Sequence, residues 1–179
     1  MKLSESVKAE RALYKLLAKA REYTTGTYSR KFVAPLFQRM IRAEWGADDG
    51  RYSLAIVDGK AVGVARRIGE CVCVTCGKVD WWDSGIKGMH TGHFIGSRCN
   101  SILFEETNVA PQCSHCNFYR HGAPQEFRQW MTAVRGEAEV ERLERLRSAS
   151  KSFSREDLVD FRIAFQKRLK IAVDRMRSS

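Results

Sequence analysis

The sequence is poor in proline and has no long apolar run. Its 179 residues include only three prolines, and no low-complexity tract or internal repeat is visible, which argues against flexible linkers and solenoid folds. No window approaches the ~20 apolar residues of a membrane span, and the first residues carry charges every few positions where a signal peptide would be apolar. We therefore expect a cytoplasmic protein with no membrane partner.

The sequence has fewer acidic residues than basic ones. The chain has 31 Lys and Arg against 21 Asp and Glu, which gives a formal net charge of +10 at pH 7. A surplus of this size favours a polyanionic partner, usually nucleic acid, and leaves a membrane surface or an acidic protein as alternatives. Residues 1–47 are especially basic, and we interpret them as a solvated face in preference to a specific DNA-binding arm.

The N-terminal segment, residues 1–70, is predicted to hold helices and a β-hairpin. Apolar residues within 5–22 recur at helical spacing, and a second helix is expected to begin at Pro35, a favourable first-turn residue. Two β-rich runs then flank Asp58 and Gly59, a dipeptide that supplies the positive φ angles of a two-residue turn.

The C-terminal segment, residues 124–179, is predicted to be helical. One helix is expected between Pro124 and Gly136, and a short helix follows it. The last helix is expected to be capped by Ser154. Its apolar residues form a stripe at helical spacing: Leu158, Phe161, Phe165, Leu169, Ala172 and Met176. Such a stripe either packs within the chain or offers an interface for a homodimer.

The segment between them, residues 71–123, is rich in Cys, His, Gly, Trp and Asn and lacks clean periodicity, so something other than an apolar core must hold it. Four of its cysteines form two C-x2-C pairs: Cys73, Cys76, Cys113 and Cys116. In a reducing compartment this spacing predicts a closed, tetrahedral structural zinc site. Cys71 and Cys99 are left over as ordinary thiols, and a pairing of Cys71 with Cys73 at the metal is the alternative.

The order of motifs in this segment resembles a known nuclease family. CVTCG is followed by GHF, then FEETNV, then PQCSHCN. This order is similar to the zinc-knuckle branch of the His-Asn-His (HNH, ββα-metal) endonucleases and, more closely, to the recombination endonucleases called NinG or Rap in lambdoid phages. The similarity spans about residues 71–176. It implies an α+β fold in which a zinc-stabilised, HNH-like ββα-metal core is flanked by N- and C-terminal helices.

The resemblance also implies roles for individual residues. His93 matches the general base that activates water for phosphodiester hydrolysis, a task suited to an imidazole. Asn108 matches the middle Asn, which ties the loop together and helps to orient the base. Asn117 matches the final ligand of a catalytic Mg2+ or Mn2+, for which a carboxamide oxygen is an appropriate donor.

One position departs from the pattern of the family. Many relatives place Asp directly before the catalytic His as a second metal ligand, whereas this chain has Gly92 there. In the NinG-like pattern an acidic residue lies three positions before the His, and that position is His90 in this chain. A histidine ligand shifts the metal preference toward manganese. The alternatives for the second ligand are Asp80, Asp83 and His121.

Basic and aromatic residues near these motifs are candidates for contacts with DNA. Arg98 and Arg120 are predicted to contact phosphates, which are the commonest targets of arginine in DNA complexes. Trp81 and Trp82 are expected either to stack on exposed bases or to pack in the core.

The sequence therefore predicts a DNA endonuclease of the HNH type that uses Mg2+ or Mn2+ beside a structural Zn2+. The NinG or Rap resemblance implies branched recombination intermediates, such as Holliday junctions, as its substrates, and the cytoplasm of a bacterial host as its location. Two alternatives stay open. One is a non-catalytic, zinc-dependent DNA-binding accessory protein of recombination, and the other is a sequence-specific HNH nuclease of the homing or restriction type.

Overall fold

A computed structural model describes residues 4–96 and 100–179 as a mixed helical and small-sheet protein. The helices are α1 (Glu5–Arg21), α2 (Thr25–Tyr28), α3 (Ala34–Ala47), α4 (Asn100–Leu103), α5 (Pro124–Arg135), α6 (Glu137–Leu146) and α7 (Arg155–Arg177). The strands are β1 (Tyr52–Val57), β2 (Lys60–Ala65), β3 (Glu70–Val72), β4 (Val79–Trp81), β5 (Met89–His93) and β6 (Val109–Cys113). They pair as three two-stranded antiparallel sheets, β1 with β2, β3 with β4 and β5 with β6. The α+β class is confirmed.

The N-terminal helices follow the predicted pattern with one extension. Ser4 caps α1, because its hydroxyl accepts a hydrogen bond from the Val7 amide. The second predicted helix is α3, with Pro35 in its first turn. It is entered through α2 and a π-helical turn at Ser29–Val33, so the helical region begins earlier than the proline alone suggests.

The first hairpin also forms as predicted. Asp58 and Gly59 adopt φ angles of 49° and 74°, which close the two-residue turn between Val57 and Lys60. The hairpin is tied to the central segment by the Ile56 amide, which donates to the Val74 carbonyl at 2.8 Å.

The C-terminal helices likewise begin and end near the predicted residues. The α5 helix ends before Gly136, whose φ of 85° a residue with a side chain rarely adopts. Ser154 and Asp157 form a reciprocal capping box at the start of α7. Among the described residues, 4–96 and 100–179, no helix combines the length and the apolar character that crossing a bilayer requires.

The apolar stripe of α7 is covered by the chain itself. It packs along α3, where the Phe165 and Phe37 rings are 5.2 Å apart and Leu158 is buried in the same cluster. Farther along, Arg168 donates to the Glu44 carboxylate at 2.7 Å. Of the two roles predicted for this stripe, the structure shows packing within the chain, against α3.

Buried residues from the three predicted segments, 1–70, 71–123 and 124–179, share hydrophobic clusters. The largest cluster joins Phe37 of α3 to Phe165 of α7 and includes Val109 of the central segment. Trp130 of α5 reaches back to the first hairpin, where its indole N–H donates to the Leu54 carbonyl at 2.7 Å. The three segments are thus joined by shared packing and by this hydrogen bond.

Candidate metal centre

The first cysteine pair lies on a tight turn after β3. The Gly77 amide donates to the Cys73 carbonyl at 2.8 Å, and the Cys73 amide donates to the Lys78 carbonyl at 2.8 Å. Gly77 adopts a φ of 75°, which the turn requires and which a residue with a side chain rarely adopts. The turn carries the sulfurs of Cys73 and Cys76 toward the second pair, at the end of β6.

The four predicted zinc ligands converge. The sulfurs of Cys73, Cys76, Cys113 and Cys116 all lie within 4.8 Å of one another, and those of Cys76 and Cys113 are 3.7 Å apart. Thiolates bonded to one tetrahedral Zn2+ at ~2.3 Å are separated by about 3.8 Å, whereas a disulfide requires ~2.05 Å. The donor set and its spacing therefore fit a closed structural zinc site.

Hydrogen-bond donors surround these sulfurs. The Cys116 amide donates to the Cys113 sulfur at 3.5 Å, and the Arg120 guanidinium approaches the Cys116 sulfur at 3.9 Å. A hydrogen bond from the Cys76 thiol lowers the pKa of Cys73 to about 5, whereas burial raises the pKa of Cys113 to about 11. A bound cation would remove this conflict, because it stabilises all four thiolates together.

Of the two remaining cysteines, Cys71 is separate from the cluster and Cys99 lies outside the described residues. Cys71 is buried, and its thiol donates to the Arg42 carbonyl at 3.3 Å. Burial raises the pKa of Cys71 to about 12, so it stays a protonated thiol at neutral pH. The structure thus assigns Cys73 to the cluster and leaves Cys71 as an ordinary thiol, while Cys99 lies outside the described residues.

The two histidines of the central segment lie on β5, which pairs with β6. His90 is opposite Gln112 and His93 is opposite Val109. Because side chains alternate along a strand, the two rings start from opposite faces of the hairpin. Thr91, on the same face as His93, donates to the Gln38 carbonyl of α3 at 2.7 Å. Burial lowers the pKa of His93, so its imidazole is neutral at pH 7.

Asn108 holds the chain that follows His93. Its side-chain oxygen accepts from the Ile95 amide at 2.8 Å, its side-chain nitrogen donates to the Ile95 carbonyl at 3.3 Å, and its backbone carbonyl accepts from the Phe94 amide at 2.8 Å. Asn108 is fully buried. Three hydrogen bonds to two consecutive residues fix where β5 ends and therefore where His93 sits.

His90 lies beside the turn that carries Asn117. The ring of His90 meets the Phe118 ring edge-on at a centroid distance of 4.8 Å. Its Nε2 lies 2.7 Å from the Ile86 carbonyl and must donate to it, because a carbonyl only accepts. Donation from one ring nitrogen to a backbone carbonyl leaves Nδ1 as the atom that a metal would bind, a pattern typical of metal-binding histidines. Asn117 follows Cys116 on the π-helical turn His115–Tyr119 and is partly exposed.

The alternative second ligands are engaged elsewhere or face solvent. Asp83 pairs with Arg39 of α3 at 2.8 Å, and Asp80 pairs with Lys78 at 3.3 Å. His121 is exposed on the turn before α5. His90 stays the predicted second ligand beside Asn117.

Gln112 belongs to this site, although the sequence gave no reason to select it. It is fully buried, and its side-chain nitrogen donates to the Thr75 hydroxyl at 3.1 Å and to the Gly122 carbonyl at 2.7 Å. It thereby links the first cysteine turn, β6 and the end of the second cysteine turn. Its Oε1 is buried and has no hydrogen-bond partner in the described part of the chain. Gln112 is identified only through the strand register, which places it opposite His90.

The side chain of Gln112 lies over Gly92. A Cβ at Gly92 would be 2.1 Å from Gln112 Oε1 and 2.6 Å from its Cδ. The space that the Asp of many relatives would need is thus occupied by a carboxamide, which explains the glycine.

We expect Gly92→Ala to lower the free energy of unfolding by roughly 2–4 kcal/mol. The added methyl group must displace Gln112 from two hydrogen bonds, each worth about 1–2 kcal/mol when a buried group is left unpaired. Urea unfolding of the zinc-loaded protein measures the change. Gly63→Ala is the matched control on β2, because a Cβ there meets nothing closer than 4.0 Å. Equal effects of the two substitutions would contradict the assignment.

The residues proposed to contact DNA differ in their solvent exposure and in the contacts that they already make within the chain. Arg120 is turned toward Cys116 and forms an ion pair with Glu126, so a phosphate contact would require it to leave both. Trp82 is buried, whereas Trp81 is 49% exposed and rests on Gly69. Trp82 therefore packs in the core. Arg98 lies outside the described residues.

Comparison with known proteins gives one result. The family model described as "Bacteriophage Lambda NinG protein" matches residues 62–175, which extends the resemblance back into β2. No curated protein and no solved structure matches the chain. The match covers the cysteine cluster, both histidines of β5, Asn108 and most of α7. The chain therefore belongs to the bacteriophage lambda NinG family.

Proposed function

We propose that this chain is a DNA endonuclease of the HNH type that depends on a divalent metal and acts on branched recombination intermediates. Membership of the NinG family implies a function related to phage recombination. The nuclease assignment is our inference from the site. It rests on a hairpin, β5 and β6, that leads directly into the short helical turn His115–Tyr119 beside a tetracysteine cluster.

The strongest support for the proposal is the set of hydrogen bonds that Asn108 makes. Asn108 binds both backbone polar groups of Ile95, two residues after His93, and is itself fully buried. A general base must be held rigidly, because small displacements of a catalytic group cost large factors in rate. Asn108 supplies this rigidity at the end of β5, which is the role that the resemblance implies for the middle Asn.

The side chains have separate tasks in the proposed reaction. His93 is neutral at pH 7 and accepts a proton from water, which then attacks phosphorus in line with the departing 3′ oxygen. Asn117 would supply an oxygen donor suited to Mg2+ or Mn2+. A nitrogen donor from His90 requires that its ring, which starts from the face of β5 opposite His93, reach the same cation. The bound cation would neutralise charge on the phosphate and on the 3′ oxygen. The four cysteines hold the turn that carries Asn117 in place.

Cleavage of a panel of DNA substrates tests the function. Zinc-loaded protein with Mg2+ or Mn2+ should nick three-way and four-way junctions and flaps at least about tenfold faster than plain duplex, since duplex DNA lacks unpaired or splayed strands. Scrambling the sequence of the junction arms should leave the rates unchanged. Gel analysis of end-labelled strands gives both the rate and the cleavage position.

The same panel separates the alternatives. Cleavage that is lost on scrambling would favour a sequence-specific HNH nuclease. Binding of branched DNA without cleavage of any substrate in either metal would favour the non-catalytic accessory protein.

A further inference from the structure

Exposed apolar and aromatic side chains lie on the two turns that contact His90, through the Ile86 carbonyl and the Phe118 ring. Ile86, Phe118 and Tyr119 are 85%, 56% and 79% exposed. The His115 ring is also exposed and stacks on Tyr119 at 6.0 Å. We call Ile86, His115, Phe118 and Tyr119 the aromatic surface. Large apolar side chains grouped in this way on a protein surface are typical of binding sites.

The backbone beneath the aromatic surface is firmly held. The Ser114 hydroxyl donates to the Lys87 carbonyl at 2.8 Å, and the Ser114 amide donates to the Gly88 carbonyl at 3.0 Å. The Phe118 ring rests edge-on against His90, and the turn begins between the two cysteines of the second pair. Rings on such a turn lose little conformational freedom when a flat ligand stacks on them.

The charges around the aromatic surface suit an anionic partner. Lys87 is exposed and forms no ion pair with the described residues. Asp80 of β4 is paired with Lys78, and Asp83 of the loop that follows β4 is paired with Arg39. A partner for this surface must therefore combine flat apolar faces with negative charge. Nucleic acid does so wherever its bases are unstacked, because aromatic side chains stack on any base face.

We propose that Phe118 and Tyr119 form a stacking platform for unpaired bases at the branch point of a DNA substrate. The platform lies next to His90 and Asn117, so bases held there bring the adjacent backbone to the site. Paired bases within a duplex are already stacked and cannot use it. The inference deepens the proposed function, since it rests on DNA as the substrate and adds the feature by which a branch is distinguished from duplex.

Equilibrium binding tests the platform without relying on cleavage. Fluorescence anisotropy in Ca2+, without chelator so that zinc is retained, compares a splayed three-way junction with a duplex of the same sequence. In the variant with Phe118→Ala and Tyr119→Ala together, affinity for the junction should fall by at least about tenfold, while affinity for duplex changes by less than about twofold. A 2-aminopurine base at the branch point should lose its protein-induced quenching in this variant.

Two controls make the result decisive. Tyr14→Ala removes another aromatic ring, 66% exposed on α1, and should leave the junction preference unchanged. Phe118→Leu with Tyr119→Leu keeps an apolar surface without rings, so it should lose the preference while keeping zinc and the unfolding midpoint. Equal losses on junction and duplex, or no loss, would overturn the platform. A selective loss of junction binding in a protein that cuts no DNA would support the platform and refute the nuclease.

Discussion

Replacing His93 by Ala is expected to slow the nicking of junction DNA by about 10²- to 10⁴-fold, the usual contribution of a general base. The proposed role requires a neutral imidazole at the end of β5, and burial lowers the pKa of His93 as this role demands. Zinc content and DNA affinity should stay at the wild-type level, because His93 belongs neither to the tetracysteine cluster nor to the aromatic surface. Single-turnover cleavage with Mn2+ measures the rate.

Two comparisons separate a base from a structural residue. Added imidazole should restore part of the cleavage rate of His93→Ala, which it would not do for a folding defect. His121→Asn should stay within about threefold of the wild type, since Asn tolerates the positive φ of 50° at that exposed position. If His121→Asn loses as much activity as His93→Ala, the assignment of the site to β5 is wrong.

Removal of zinc is expected to have the largest effect on stability. Structural zinc contributes about 10–16 kcal/mol in small zinc domains, comparable with the total of about 5–15 kcal/mol that stabilises a typical protein. The central segment has short strands and the buried sulfurs in place of a broad apolar core. Cys113→Ser should therefore abolish zinc binding and unfold residues 73–122. Hydrogen exchange and metal analysis of the purified protein measure both effects.

Cys71→Ser is the matched control for the zinc prediction. Cys71 is as buried as the cluster cysteines but donates to the Arg42 carbonyl outside the cluster. The variant should keep one zinc per chain and its protection in residues 73–122. Purified wild-type protein without zinc, or equal loss of zinc in both variants, would contradict the assignment of the ligands.

The helices α3 and α7 should respond less to zinc loss than the central segment does. Their shared cluster is built on Phe37, Leu158 and Phe165, which do not touch the sulfurs. From the central segment, Val109 of β6 joins that cluster, and the Phe104 ring packs against those of Phe37 and Phe165 at 5.6 and 5.9 Å. Hydrogen exchange resolved by region therefore distinguishes loss of the metal centre from global unfolding.

Much of the local structure could be predicted from the sequence because it depends on neighbouring residues. Ser154 and Asp157 specify a helix start whatever lies around them, and Asp58 with Gly59 closes a hairpin through its own φ angles. The two C-x2-C pairs are also local features, since the two-residue spacing within each pair permits one tight turn. Their convergence was predicted because four thiolates in two such pairs share one chemistry, and the four sulfurs lie within 4.8 Å of one another.

The long-range contacts could not be predicted, because they depend on which surfaces meet. The α7 stripe was compatible with a dimer or with intramolecular packing, and only the tertiary structure showed that α3 packs against it. Arg120 was a candidate phosphate contact until folding brought it to Cys116 and Glu126. Nothing in the sequence singled out Gln112. Its role depends on the strand register and on the missing side chain at Gly92, over which the Gln112 side chain lies.

The sequence by itself thus determined most helix boundaries, the first hairpin and the set of four clustered cysteines, all of which follow from residues close along the chain or from a shared ligand chemistry. Only the tertiary structure decided that His90 stands beside the Asn117 turn, that Asn108 holds the end of β5, and that Phe118 and Tyr119 remain exposed. The physical reason is that burial and hydrogen-bond partners are properties of the packed chain, and residue type alone does not specify them.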